Sequence, residues 1–186
     1  MNKKNLFAIT LAIATVFGAS AQKFNPSAKF LKGEKQINVV FDYSQVTFDG
    51  DSKDSYYKYK GQSWVEEWEG KRKENDENNY LDKLNKELSK IDMNAGAYPE
   101  VQYTIIVNVV DCDFGSYAGP FSAPAKLKCT LQVVKTGSTE ILSSITLKRS
   151  QNSYTTIGTP VDFDRMYLAF GYGGEKVGEI LVKELK

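Results

Sequence analysis

The residues of this chain best placed for chemistry are three carboxylates near the ends of predicted elements: Asp111, Asp113 and Asp162. Two of them facing one cleft about 5–9 Å apart would supply the acid and base of a glycan hydrolase. The rest of the sequence narrows the options. Histidine is absent. That removes the commonest general base and metal ligand, every Ser-His-Asp or Cys-His nucleophile, and any His-ligated zinc. Asp113-Phe114-Gly115 spells the metal-binding triplet of protein kinases, but no glycine-rich phosphate loop or catalytic loop accompanies it, so it reads as a turn. Gly171-Tyr172-Gly173-Gly174 does not carry a strand into a helix, so it is no nucleotide loop. Gly171, Gly174 and Gly178 fall instead on one helical stripe, which either lets the backbone approach the sheet or makes contact with a partner. Asp49, Asp51 and Asp54 lack the EF-hand spacing and a closing glutamate. The sequence therefore assigns no catalytic residue, no metal ligand and no cofactor.

Aromatic residues offer the other candidate sites. Trp64 and Trp68 lie one helical turn apart. Such a pair is either a face for a sugar or peptide or the core-facing side of an amphipathic helix. Phe114, Tyr117 and Phe121 sit in a long loop with Gly115, Gly119, Pro120 and Pro124. Loops of that length are uncommon unless functional or disordered. The three rings form either a binding tip on a rigid hairpin or a flap folded over the sheet edge.

The elements that must position these residues follow from periodicity. Gln36 to Tyr43 alternates as a strand. Ser44 to Gly61 reads as a connection, and Ser63 to Ile91 as a helix, capped by Ser63 with Glu66 and interrupted in the polar run Gly70 to Asn79. Glu100 to Cys112, Lys126 to Lys135 and Glu140 to Lys148 read as an antiparallel meander with one wet face. Ser150 to Val161 reads as a loop, after which Asp162 caps a final helix. The expected fold is α+β, in the order strand-helix-strand-strand-strand-helix. It has an antiparallel sheet of about four strands, with two long helices packed on one face. The parity of the meander places Cys129 inward and Cys112 outward, so a disulfide between them needs a bulge or a strand that ends before Cys112.

The chain starts with Asn2-Lys3-Lys4, an apolar run from Leu6 to Phe17, and Ala19-Ser20-Ala21. This is the pattern of a signal peptide over residues 1–21, too short to span a bilayer, and no cysteine for lipid attachment lies near the cleavage point. Residues 22–35 read as a poorly ordered leader, and residues 36–186 as one α+β domain. The full chain has 24 basic and 23 acidic residues, and losing Lys3 and Lys4 leaves 22 against 23, a net charge of −1. That balance points to no nucleic acid and no anionic membrane surface, with no membrane insertion after cleavage.

The segments INVVFDYSQVTF (residues 37–48), WVEEWEGKRKE (64–74) and VDFDRMYLAFGYGGEKVGEILVKEL (161–185) resemble a group of exported Bacteroidota proteins without an assigned activity. The resemblance implies a single α+β domain in the envelope. The element order is also similar to small periplasmic modules such as the N-terminal domain of TolB and penicillin-binding-protein activators, a likeness of fold alone. The expectation is a periplasmic or secreted, non-catalytic module that binds an envelope protein or a cell-wall or glycan component. The alternative is a carboxylate-based periplasmic glycan hydrolase.

Overall fold

The computed structural model of the chain describes residues 22–118, 122–151 and 161–186. The elements are β1 (Gln36–Asp42), β2 (Thr47–Phe48), β3 (Asp51–Ser52), α1 (Lys53–Lys60), α2 (Gln62–Glu67), a π-turn (Trp68–Arg72), α3 (Lys73–Leu88), β4 (Asn94–Gly96), β5 (Tyr103–Asp113), β6 (Lys126–Lys135), β7 (Ile141–Gln151) and α4 (Asp162–Leu185). The fold is mixed α+β, as the element pattern requires. The sheet corrects the expectation: it has seven strands and is mixed. β5 is its spine. It pairs antiparallel with β6, and β6 with β7, which is the expected meander. On its other side β5 pairs in parallel with β1 and, further along, with β2. β4 lies parallel to the outside of β1, and β3 antiparallel to β2. Parallel neighbours need a long crossover, and the run from α1 through α3 supplies it. Strands of two or three residues carry too little periodicity to be read from sequence.

One face of the sheet carries the core. Ile37, Val39, Ile105, Val107, Leu131 and Val133 are buried there. The Phe41 ring, beside them on β1, meets Tyr80 of α3 edge-on at 5.3 Å and Phe170 of α4 at 6.5 Å. Both long helices therefore cover the same side. α4 presents Phe163, Met166, Phe170, Val177, Leu181 and Leu185 inward at helical spacing. The glycine stripe serves a different contact from the expected one. A Cβ on Gly174 would overlap the Tyr80 carbonyl oxygen, and one on Gly178 would lie 3.1 Å from that of Leu84. The glycines bring α4 against α3, not against the sheet.

Local differences have local causes. Lys53 to Lys60 is helical rather than a connection, with the Ser52 hydroxyl accepting the Ser55 N–H at 3.4 Å. Gly61, at φ +84°, separates α1 from α2 and stands where Ser63 was expected to cap. The polar run Gly70 to Asn79 remains helical because the π-turn absorbs the change of phase. Asp162 lies inside the first turn of α4 rather than at its cap. The leader is packed: Phe24, Ala28 and Leu31 are buried, Asn25 pairs with Ser144 on the outer edge of β7, and the Ala28 N–H donates to Glu184 at 2.7 Å. Three apolar residues among polar ones were enough to anchor it. The expected loop Ser150 to Val161 falls mostly on residues 152–160, outside the described residues.

Candidate functional site

The candidate residues converge where β2, β5, α2 and the start of α4 meet. A β-bulge at Val110 makes this possible. Val109 faces Cys129 across the β5–β6 pair and Asp111 faces Lys128, so one residue of β5 is unpaired. The extra residue reverses the parity of everything beyond it. Cys112 and Phe114 turn into the core, at 0% and 1% exposure.

Phe114 is consequently not at a loop tip. Its ring packs on Phe48 (6.2 Å), Tyr56 (6.1 Å), Trp64 (5.5 Å), Trp68 (5.8 Å) and Phe163 (6.2 Å). Its backbone is held from two sides. The amide donates to Asp49 Oδ1 at 2.7 Å, and the carbonyl accepts from Arg165 Nε at 3.0 Å. Trp68 is 1% exposed in the same cluster. Trp64 is half-buried; it stacks on Phe163 at 5.2 Å and carries the Lys60 ammonium 5.8 Å from its ring centre. The paired tryptophans are the core-facing side of their helix rather than a free platform. Of the four described candidates, Phe114, Trp64, Trp68 and Tyr117, only Tyr117 is exposed, at 49%. Phe121 lies outside the described residues.

The nominated carboxylates are each engaged by the fold. Asp111 accepts from the Thr47 hydroxyl at 2.6 Å and the Gly50 N–H at 3.2 Å. Asp113 accepts from the Gly115 N–H at 3.0 Å and pairs with Lys126 at 3.1 Å. Asp162 pairs with Lys60 at 3.0 Å and with buried Arg165 at 2.6 Å. Asp49 takes the Phe114 N–H and, at 3.0 Å, the Tyr56 hydroxyl, while Asp51 and Asp54 point to solvent. Among the described residues no cluster of potential metal ligands forms. Nothing in the sequence spacing links Arg165, Lys60 or Asp49 to Phe114, and that spacing offers Asp49 only as a calcium ligand; the clamp exists only once the bulge has turned Phe114 inward.

A second polar centre lies on the π-turn. Glu69 accepts from Lys53 Nζ and the Tyr57 hydroxyl, both at 2.7 Å, and from Lys73. Partial burial works against its charge, but these three donors outweigh it and hold the carboxyl at about 2.

The other face of the sheet, away from α3 and α4, contains a groove of about 480 Å³. Val40, Ile106 and Val134 form its apolar floor, and Pro99 and Thr136–Ser138 its rim. Asn38 donates to Thr104 at 3.0 Å and accepts from the Tyr98 N–H at 3.0 Å, and Thr104 bonds Thr136 at 2.9 Å. Asp42 is the acid lining this groove, so it holds no pair of carboxylates. Val40 is 46% exposed, and Ile141, opposite Val134, is 47% exposed. The alternation of β1 sets Val40 on the face opposite Ile37 and Val39, which suggests burial on both sides or a covered edge; the structure corrects this, since α3 and α4 both lie on the other face and leave Val40 exposed.

The bulge also corrects the cysteine reading. Both thiols face the core and both are free. Cys112 is opposite Leu127 and Cys129 opposite Val109, so they are diagonal rather than directly paired. Diagonal neighbours stand about 7–8 Å apart, beyond the usual Cα separation of a disulfide. Burial pushes the Cys129 thiol up to about 12 and that of Cys112 also well above its ordinary value.

No helix among the described residues is long and apolar enough to cross a membrane. No protein-family model matches the chain, and no curated protein does. Among solved structures, it is similar to a PelC dodecamer from Paraburkholderia phytofirmans, at 7% identity over 74% of this chain and 87% of that one, with a TM-score of 0.37. A second PelC dodecamer from the same organism, a single-substitution variant, is 10% identical over 82% of this chain and 98% of that one, with a TM-score of 0.38.

Proposed function

We propose that this chain is a non-catalytic module of the cell envelope, exported behind Ala21, that binds a protein or a cell-wall or glycan component. The observation that carries the reading is the groove on the sheet face left bare by α3 and α4, where Val40, Ile106 and Val134 make an apolar floor among polar residues and Val40 is nearly half exposed. A concave groove with a small apolar floor and several polar groups converging on it is the form that ligand and partner sites commonly take. The nominated acids support the same reading, because their oxygens already serve Thr47, Gly50, Gly115, Lys60, Lys126 and Arg165.

The test is site-specific photo-crosslinking in the exporting cell. A photoreactive residue replaces Val40 in one variant and the exposed Lys183 of α4 in another. The expected result is a discrete adduct from position 40 and none from 183. Its sensitivity to protease or to glycan-cleaving enzymes then tells protein from polysaccharide. Absence of an adduct at position 40, or equal labelling at both positions, refutes the reading.

A further inference from the structure

The carboxyl of Asp76 has no role in the assembly described so far. It lies on the inner side of α3, is 2% exposed, and its Oδ2 atom has no hydrogen-bond partner. Arg72, the last residue of the π-turn, precedes it by four residues and so stands on the same side of the helix. Arg72 is committed elsewhere. Its Nε bonds Glu67 at 2.8 Å, its Nη1 lies 3.5 Å from Asp164, and its guanidinium sits 5.1 Å from the centre of the Phe163 ring. Two of those three partners belong to the first turn of α4, next to the Asp162–Arg165 pair that holds the Phe114 carbonyl.

We propose that Asp76 is a proton-operated latch on the seam between α3 and α4: protonated, it leaves Arg72 to Asp164 and Phe163; ionised, it draws Arg72 one helical turn forward along α3 and releases the start of α4. The groups around it make the latch sensitive to one proton. From α3 itself comes Glu77, from α4 Asp164, from the segment after β1 Tyr43, and from β5 Cys112. Burial keeps Tyr43 and Cys112 protonated, so neither adds charge at neutral pH. Glu77 and Asp164 repel a second anion. Arg72 is the cation that favours it. Burial outweighs Arg72 and lifts the Asp76 carboxyl to about 8, so the change of state falls just above neutrality. Arg72 stands at the end of the π-turn, whose wider turn departs from the regular hydrogen bonding of the α-helices on either side and is a feature found often at functional sites.

The experiment is a pH titration of the exported protein labelled with carbon-13 at its aspartate side-chain carboxyls. The Asp76 signal is assigned by its loss in Asp76→Asn. Near-UV circular dichroism of Trp64 and Trp68 follows the seam in parallel. The expected result is an Asp76 midpoint near pH 8, with a dichroism change over the same interval. That change is lost in Asp76→Asn and in Arg72→Gln, while Arg72→Gln moves the carboxyl midpoint further up. A midpoint below pH 5, a high midpoint with unchanged dichroism, or a dichroism change that persists in Asp76→Asn overturns the proposal. Should Asp76→Asn fail to fold, the wild-type and Arg72→Gln titrations decide by the same criteria.

Discussion

Phe114→Ala separates a structural aromatic loop from a binding one. The ring is 1% exposed and lies within 6.2 Å of five other aromatic rings: Phe48, Tyr56, Trp64, Trp68 and Phe163. Removing it strips contacts from all five at once. The cavity cannot collapse easily, because Asp49 and Arg165 hold the Phe114 backbone in place. A buried phenylalanine truncated to alanine costs about 3–5 kcal/mol, and a rigid surround favours the upper half of that range. In a domain of this size each kcal/mol lowers the melting temperature by about 2–4 °C, so the expected fall is about 8–20 °C. Tyr117→Ala is the control: at 49% exposure it should stay within about 0.5 kcal/mol of the parent. Differential scanning calorimetry of the two variants reads both. A Phe114→Ala melt within 2 °C of the parent, or equal losses in the two variants, would refute the burial argument.

Other perturbations test other parts of the fold. Gly174→Ala gains about 1 kcal/mol of helix propensity but forces α4 off the Tyr80 carbonyl, so a net loss of about 1–3 kcal/mol is expected in chemical denaturation; a stabilised variant would show that the two helices are not in backbone contact. Thiol reagent should find neither cysteine in native protein and both in denaturant under non-reducing conditions, because Cys112 and Cys129 are buried and unbridged. Glu69 is held at about 2 against an ordinary 4.5, so its stabilising contribution is complete above the ordinary value and is lost as pH falls through the folded one. Unfolding curves between pH 6 and pH 2 should therefore show a smaller acid-induced loss for Glu69→Gln than for the parent, and parallel losses would remove the assignment.

How much of this was legible depends on the length over which a signal repeats. β5, β6, β7 and α4 each extend for ten residues or more, and their alternation or helical stripe fixed their type. β2, β3 and β4 are two or three residues each, so neither they nor the seven-stranded sheet could be read. Parallel pairing was hidden for a different reason. Ile37, Val39 and Phe41 alternate the same way whichever direction the neighbour runs, and only the crossover through α1 to α3 sets it. The packed leader was missed because Phe24, Ala28 and Leu31 show no repeat; their burial comes from Ser144 and Glu184, more than a hundred residues away.

The largest error in reading the candidate site traces to Val110. Strand parity is a chain of inference in which each residue's face depends on every one before it, so one unpaired residue inverts all that follow. Up to Val109 the odd positions point inward, as the alternation says. Beyond the bulge the even positions do, and this one step buries both Cys112 and Phe114 while setting Asp113 beside Lys126 across the pair. The alternation of Val101 to Val109 gives no warning, since Val110 suits either face of a strand. A disulfide was expected to need a bulge or an early strand end; the bulge is present, yet it aligns Cys112 with Leu127 rather than with Cys129. The same geometry that brought the cysteines to one face therefore kept them apart, and it placed Phe114, one of the rings read as either a binding tip or a folded flap, at the centre of the aromatic core.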